Sequence, residues 1–242
     1  MSASRPLLEI AVDSLEDAIA ACQHGADRLE LVADLHTQGL TAPPALIRAV
    51  VAACPVPVMA MVRPREGDFC MSSAEVLTMQ REARAAIDAG ARGIVFGVQT
   101  STGHVSTSAC RDLLQVCSGV ETVFHRAFDF TPDAFEACDT LIHLGVTRIL
   151  SAGVGTWATP GEGAALELRC ERLHALIEHA AGRIQILPGG GIRPTNAAQV
   201  LRQTGATQLH SACRPPAASI PCHGSPRLDP ALVGAMRTQM DG

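Results

Sequence analysis

A chain of 242 residues, 47% hydrophobic and 18% charged, can build one sizeable core and is too apolar to be disordered. A net charge of -5, no Tyr and a single Trp argue against nucleic acid or an anionic membrane as partner, and no apolar run reaches membrane-span length. Nine scattered cysteines, with no C-x-x-C pair, and a start lacking an apolar secretory segment lead us to expect free thiols in the cytoplasm.

The first strand is expected at 7–12 and the first helix in "SLEDAIAACQ", with Ser14 as its start signal. Strands follow at 28–33, 57–63, 93–98, 121–127, 148–152, 184–188 and 208–211. Between them lie amphipathic segments such as "PPALIRAVVAAC", "SAEVLTMQREARAAIDAG" and "LELRCERLHALIEHAAG", with further start signals at Ser73 and Thr131-Pro132. One pattern recurs as "GADRLEL", "GARGIVF", "GVTRIL" and "GATQLH", which reads as helix end, turn and strand. Eight such alternations predict an α/β fold, a single (β/α)8 TIM barrel over 1–242. A doubly wound sheet would carry a Gly-rich turn after the first strand, and "VDSLED" is not one. The Pro-rich stretch 213–227 reads as a long loop after strand eight, before a closing helix at about 229–240.

Strand parity then assigns faces. Leu8, Ile10, Val12, Leu29 and Leu31 share the apolar parity, so Glu9, Ala11, Glu30, Val32, Met59, Met61, Arg63, Val123, His125, Gln208 and His210 face the barrel interior. Acid–base roles are expected of Glu9, Glu30, His125 and His210, with Asp129 near His125. Arg63, Arg65, Asp68 and Arg126 on the adjoining loops are candidates for holding an anion. So are Gly189, Gly190 and Gly191 after strand seven and Ser211 after strand eight, the region where barrels often hold phosphate. A set of structural ion pairs filling the barrel is the competing reading. A divalent metal would find ligands in Glu9, Glu30, His125 and His210; a soft-metal cluster of His210, Cys213, Cys222 and His223 matches no standard spacing.

"LLEIAVDSLEDA", "GADRLELVA", "GLTAPPALIRAV", "VRPREGDF", "GIVFGV", "VFHRAFD", "RILSAG", "PGGGI" and "LHSA" run in order to about residue 212, and together they resemble the CutC family of copper homeostasis proteins. The resemblance implies a cytoplasmic TIM barrel, often a homo-oligomer, with Cu(I) assigned to cysteines. Those cysteines correspond to Ala11 and Val32, which offer no thiolate, so direct Cu(I) binding is not carried over. Two functions therefore compete. One is copper homeostasis, as the resemblance implies. The other is an isomerase, lyase or hydrolase type of acid–base reaction on a small polar, anionic or phosphorylated molecule.

Overall fold

In the computed structural model, which describes residues 5–37, 39–154, 165–215 and 227–242, strands and helices alternate from end to end. The strands are β1 (Leu7–Val12), β2 (Arg28–Leu31), β3 (Val58–Met61), β4 (Gly93–Phe96), β5 (Glu121–Phe124), β6 (Arg148–Ser151), β7 (Gln185–Pro188) and β8 (Gln208–Ser211). The helices are α1 (Leu15–Gln23), α2 (Pro44–Ala53), α3 (Ser73–Asp88), α4 (Thr107–Val116), α5 (Ala134–Leu144), α6 (Leu166–Ala180), α7 (Pro194–Thr204) and α8 (Pro230–Asp241), with a 3-10 turn at Arg126–Phe130. All strand pairs are parallel, in the order β7-β6-β5-β4-β3-β2-β1-β8. This is the expected TIM-barrel-like architecture, nearly closed. At the β7–β8 seam, Gln208 Nε2 donates to the Ile186 carbonyl across 3.3 Å.

Several boundaries differ from expectation. β2, β3, β4 and β5 end two or three residues early, because the chain leaves the ladder there to build the barrel mouth. Helix α3 is capped by Ser72, in a reciprocal pair with Glu75, and not by Ser73. Helix α5 is capped by Asp133, whose carboxylate accepts from the Phe135 and Glu136 N–H groups; Thr131 ends the preceding 3-10 turn instead. The recurrent glycine does end helices in the left-handed conformation, with φ 79° at Gly145 and 73° at Gly205.

The parity reading holds. Leu8, Ile10, Leu29, Leu31, Ile94, Phe96 and Phe124 are fully buried against Ala18, Ile47, Met79 and Leu113 of the helices. A separate inner cluster, Val32, Met59, Met61, Val95, Val123, Leu150 and Leu187, plugs part of the barrel interior. The rest of the interior is polar. Register explains how: Glu9 lies beside Arg28 on β2 and beside His210 on β8, so three inward charged positions meet on adjacent strands.

Candidate functional site

The polar interior is one connected chain of hydrogen bonds. Arg148 Nη2 donates to Glu121 Oε2 at 2.8 Å and its Nε to Gln185 Oε1 at 3.0 Å. Gln208 Nε2 donates to Gln185 Oε1 at 3.4 Å, and Arg28 Nη2 to Gln208 Oε1 at 2.9 Å. Arg28 Nε is paired with Glu9, whose other oxygen accepts from His210 Nδ1 at 2.8 Å. His210 Nε2 stands 3.8 Å from Glu30 Oε2, and Glu30 Oε1 has no partner among the described residues. The hydrogen-bonded chain thus runs from half-exposed Glu121 to His210, which faces the buried Glu30 carboxyl at the foot of a cavity across a longer gap.

That cavity, about 580 Å3, opens at the C-terminal ends of the strands. This is the face where barrels carry their sites. Glu30, Arg63, His125, Arg126, Gly190, Gly191, His210 and Ser211 line it as the sequence led us to expect. Met61, Phe69, Leu150 and Ile192 supply an apolar wall. Arg193 and Arg214 also line it and were not foreseen. Arg193 Nη1 donates to the Arg214 carbonyl at 2.7 Å, a contact between loops that no local pattern announces.

Other expected site residues serve the scaffold. Glu9 lies beneath the cavity and holds His210 from below. Arg65 is spent on the loop after β3: it pairs with Glu75 and with Asp68 at 3.0 Å and donates to the Cys70 carbonyl. Asp68 is largely exposed and faces Arg65. Asp129 does not join His125. Its carboxylate accepts from Arg126 Nε (2.9 Å), Ser151 Oγ (2.6 Å) and the Ala152 N–H, tying the 3-10 turn to the end of β6. Gly189 leaves the lining, its carbonyl taken by Arg169. Ser211 donates inward to the Ile192 carbonyl at 2.8 Å and accepts from the Cys213 N–H. Cys222 and His223 lie outside the described residues, as does most of the 213–227 loop.

Electrostatics separates the two glutamates. Burial would raise the Glu9 carboxyl, but Arg28 and then His210 overcome it and hold the group down to about 2. Glu30 is pushed up to about 7 by burial, with Glu9 adding to the rise and His210 opposing it. His210 is itself raised: burial works against its charge, and Glu30 and Glu9 outweigh burial. His125 goes the other way, down to about 3, through burial and the nearby charges of Arg63 and Arg126.

Gly97 lets the His125 ring approach the chain closely just after β4, since a Cβ there would come within 2.4 Å of Cε1 and 2.5 Å of Nδ1. Gly97→Ala is expected to cost about 1–3 kcal/mol in thermal unfolding, through displacement of that ring.

One donor atom each from Glu9, Glu30 and His210 lie within 4.8 Å of one another. The set does not suit a resident cation: both Glu9 oxygens are engaged, and a guanidinium stands against one of them. For Cu(I) these three donors are unsuited, since they are carboxylates and an imidazole with neither thiolate nor thioether; the soft atoms of the lining are those of Met61 and Cys213. Cys213 is the one thiol lining the cavity among the described residues, and burial raises it further above the ordinary thiol range while its Sγ donates to Ser211.

A family model described as the CutC family matches residues 6–214. A human protein named copper homeostasis protein cutC homolog is 40% identical over 208 residues, covering 86% of this chain and 73% of the human one. A family protein CutC from Caulobacter vibrioides is 40% identical over 210 residues, covering 87% and 82%. A crystal structure of a protein named CutC from Streptococcus agalactiae superposes with a TM-score of 0.79 at 30% identity, covering 86% of this chain and 98% of that one.

Proposed function

This chain belongs to the CutC family, and from that premise we propose that its barrel mouth binds a small anionic molecule and transfers protons on it. The observation that carries the reading is the buried pair at the foot of the cavity. Glu30, raised to about 7, is present in both protonation states at neutral pH, as a group that gives and takes a proton must be. His210, whose charged form is favoured by Glu30 and Glu9 against burial, turns its Nε2 toward Glu30 and can serve as the acid of the pair. Arg63 and Arg193 at the mouth favour a substrate carrying negative charge, while Arg126 and Arg214, which also line it, are paired with Asp129 and with Asp13 and Asp17.

The names of the relatives speak of copper homeostasis. Direct capture of Cu(I) calls for soft ligands, and Ala11 and Val32, where the family resemblance expects cysteine, are buried and bring none. A copper role would then run through the reaction and not through a copper ligand set. Two measurements test this. In competition with a chromogenic Cu(I) chelator the protein should show no tight stoichiometric binding; tight one-to-one binding, lost in His210→Ala or Cys213→Ala, would sink the idea. A crystal soaked in phosphate should show the ion near Arg63 and the Gly190–Gly191 turn, and an empty mouth would count against an anionic substrate.

A further inference from the structure

We infer that His125 is a ligand-binding hydrogen-bond donor, a neutral imidazole carrying its proton on Nε2, and not a base. Three observations carry this. First, His125 Nδ1 accepts the Ala127 N–H at 3.1 Å, which leaves that nitrogen without a proton and puts the ring proton on Nε2. Second, Nε2 is buried and has no hydrogen-bond partner among the described residues, although the side chain lines the cavity. A buried N–H without an acceptor is costly, and a ligand oxygen is the acceptor that a cavity wall can receive. Third, the ring's surroundings oppose charge: Phe69 packs over it with ring centroids 5.0 Å apart, Phe124 stands 6.1 Å away, and Gly97 backs the Nδ1 edge. The charged groups acting on it are Arg63 from the end of β3 and Arg126 from the following turn, both cationic.

Arg63 shares this wall. Its guanidinium carbon sits 5.1 Å from the centre of the same Phe69 ring, two of its nitrogens are taken by the Thr37 and Gly67 carbonyls, and its Nε has no partner among the described residues. His125 Nε2 and Arg63 Nε are each a buried N–H donor beside the same aromatic ring, and each suits a ligand oxygen that carries, or gains during reaction, negative charge: a carbonyl, carboxylate or phosphoryl oxygen. Proton transfer is then left to Glu30 and His210 across the cavity. The inference rests on reading the mouth as an anion site, and the test keeps the two apart.

Two-dimensional NMR of the ring nitrogens in 15N-labelled protein at pH 7 should show His125 with Nε2 protonated and Nδ1 bare. A proton on Nδ1, or on both nitrogens, would overturn the inference whatever the mouth binds. Inorganic phosphate, titrated as probe, should move the Nε2–H resonance. Its affinity should fall roughly five- to tenfold in His125→Phe, the net worth of one hydrogen bond, and by no more than about threefold in His125→Gln, whose amide offers a donor at a similar reach. Undiminished affinity in His125→Phe overturns the ligand role. If wild-type protein with the Nε2–H tautomer binds no phosphate, the anion-site reading fails and takes the ligand role with it, while the assignment of a neutral ring stands.

Discussion

Replacing Arg28 by methionine is expected to destabilise the protein by about 3–5 kcal/mol, the usual consequence of leaving one member of a buried ion pair behind. Against a net stability of about 5–15 kcal/mol for an ordinary domain, this brings the variant close to unfolding. The melting temperature should drop by roughly 10 °C for a chain of this size. The reason is geometric. Glu9 is 2% exposed, and Arg28 and His210 are its two partners among the described residues. Without Arg28 its charge rests on a histidine alone, and Gln208 loses its donor as well. Glu9→Gln in the Arg28→Met background should restore much of the loss, because the orphaned charge goes with it. Denaturant unfolding of the wild type, both single variants and the double variant forms the cycle. If the two single effects simply add, Glu9 and Arg28 are not energetically coupled and the floor of the barrel is not what holds His210.

This pair also marks the limit of what the sequence makes legible. The alternation of strand and helix and the parity of each strand are local, and they correctly send Glu9, Glu30 and His210 to the barrel interior. Which inward group pairs with which depends on register between β1, β2 and β8, and Gln208 is 180 residues from the Arg28 that donates to it. No spacing along the chain carries that. Arg65, Asp68 and Asp129 fail as site residues for the opposite reason: loop chemistry satisfies them within reach of their own turns. Arg65 spends its donors between positions 66 and 75, and Asp129 closes onto Arg126 and β6. A polar side chain at a strand end reads alike from sequence in both situations. Arg193 and Arg214 enter the cavity because the turn after β7 meets the segment after β8, and that meeting is tertiary.

Glu30→Gln should change the dependence of stability on pH between about 4.5 and 7. The signs follow from linkage. Glu30 has a folded pKa raised from 4.5 to about 7, so its ionisation opposes folding, and stability falls as pH rises from about 4.5 through 7. Glu9 is depressed from 4.5 to about 2, so its contribution is present above about 4.5 and lost as pH falls toward 2. His210 is raised above 6.5, so what it adds is present below 6.5 and lost as pH climbs through its folded value. His125, depressed from 6.5 to about 3, runs against Glu30: its neutral form is favoured by the fold, and what it adds is lost as pH falls below 6.5. The Glu30 contribution is therefore read from the difference between wild type and variant, not from the wild-type profile alone. The glutamine variant keeps the losses on acidification set by Glu9 and His125 and loses the decline that Glu30 imposes between pH 5 and 7. It should gain on the wild type by about 2–3 kcal/mol on going from pH 5 to pH 8. His210, deprived of the first of the charges that raise it, should titrate closer to 6.5. Urea unfolding at pH 5 and pH 8, with the His210 ring followed by NMR, reads both effects. Parallel profiles for the two proteins would mean that Glu30 is ionised at little cost, and a group of that kind could not hold a proton ready at neutral pH.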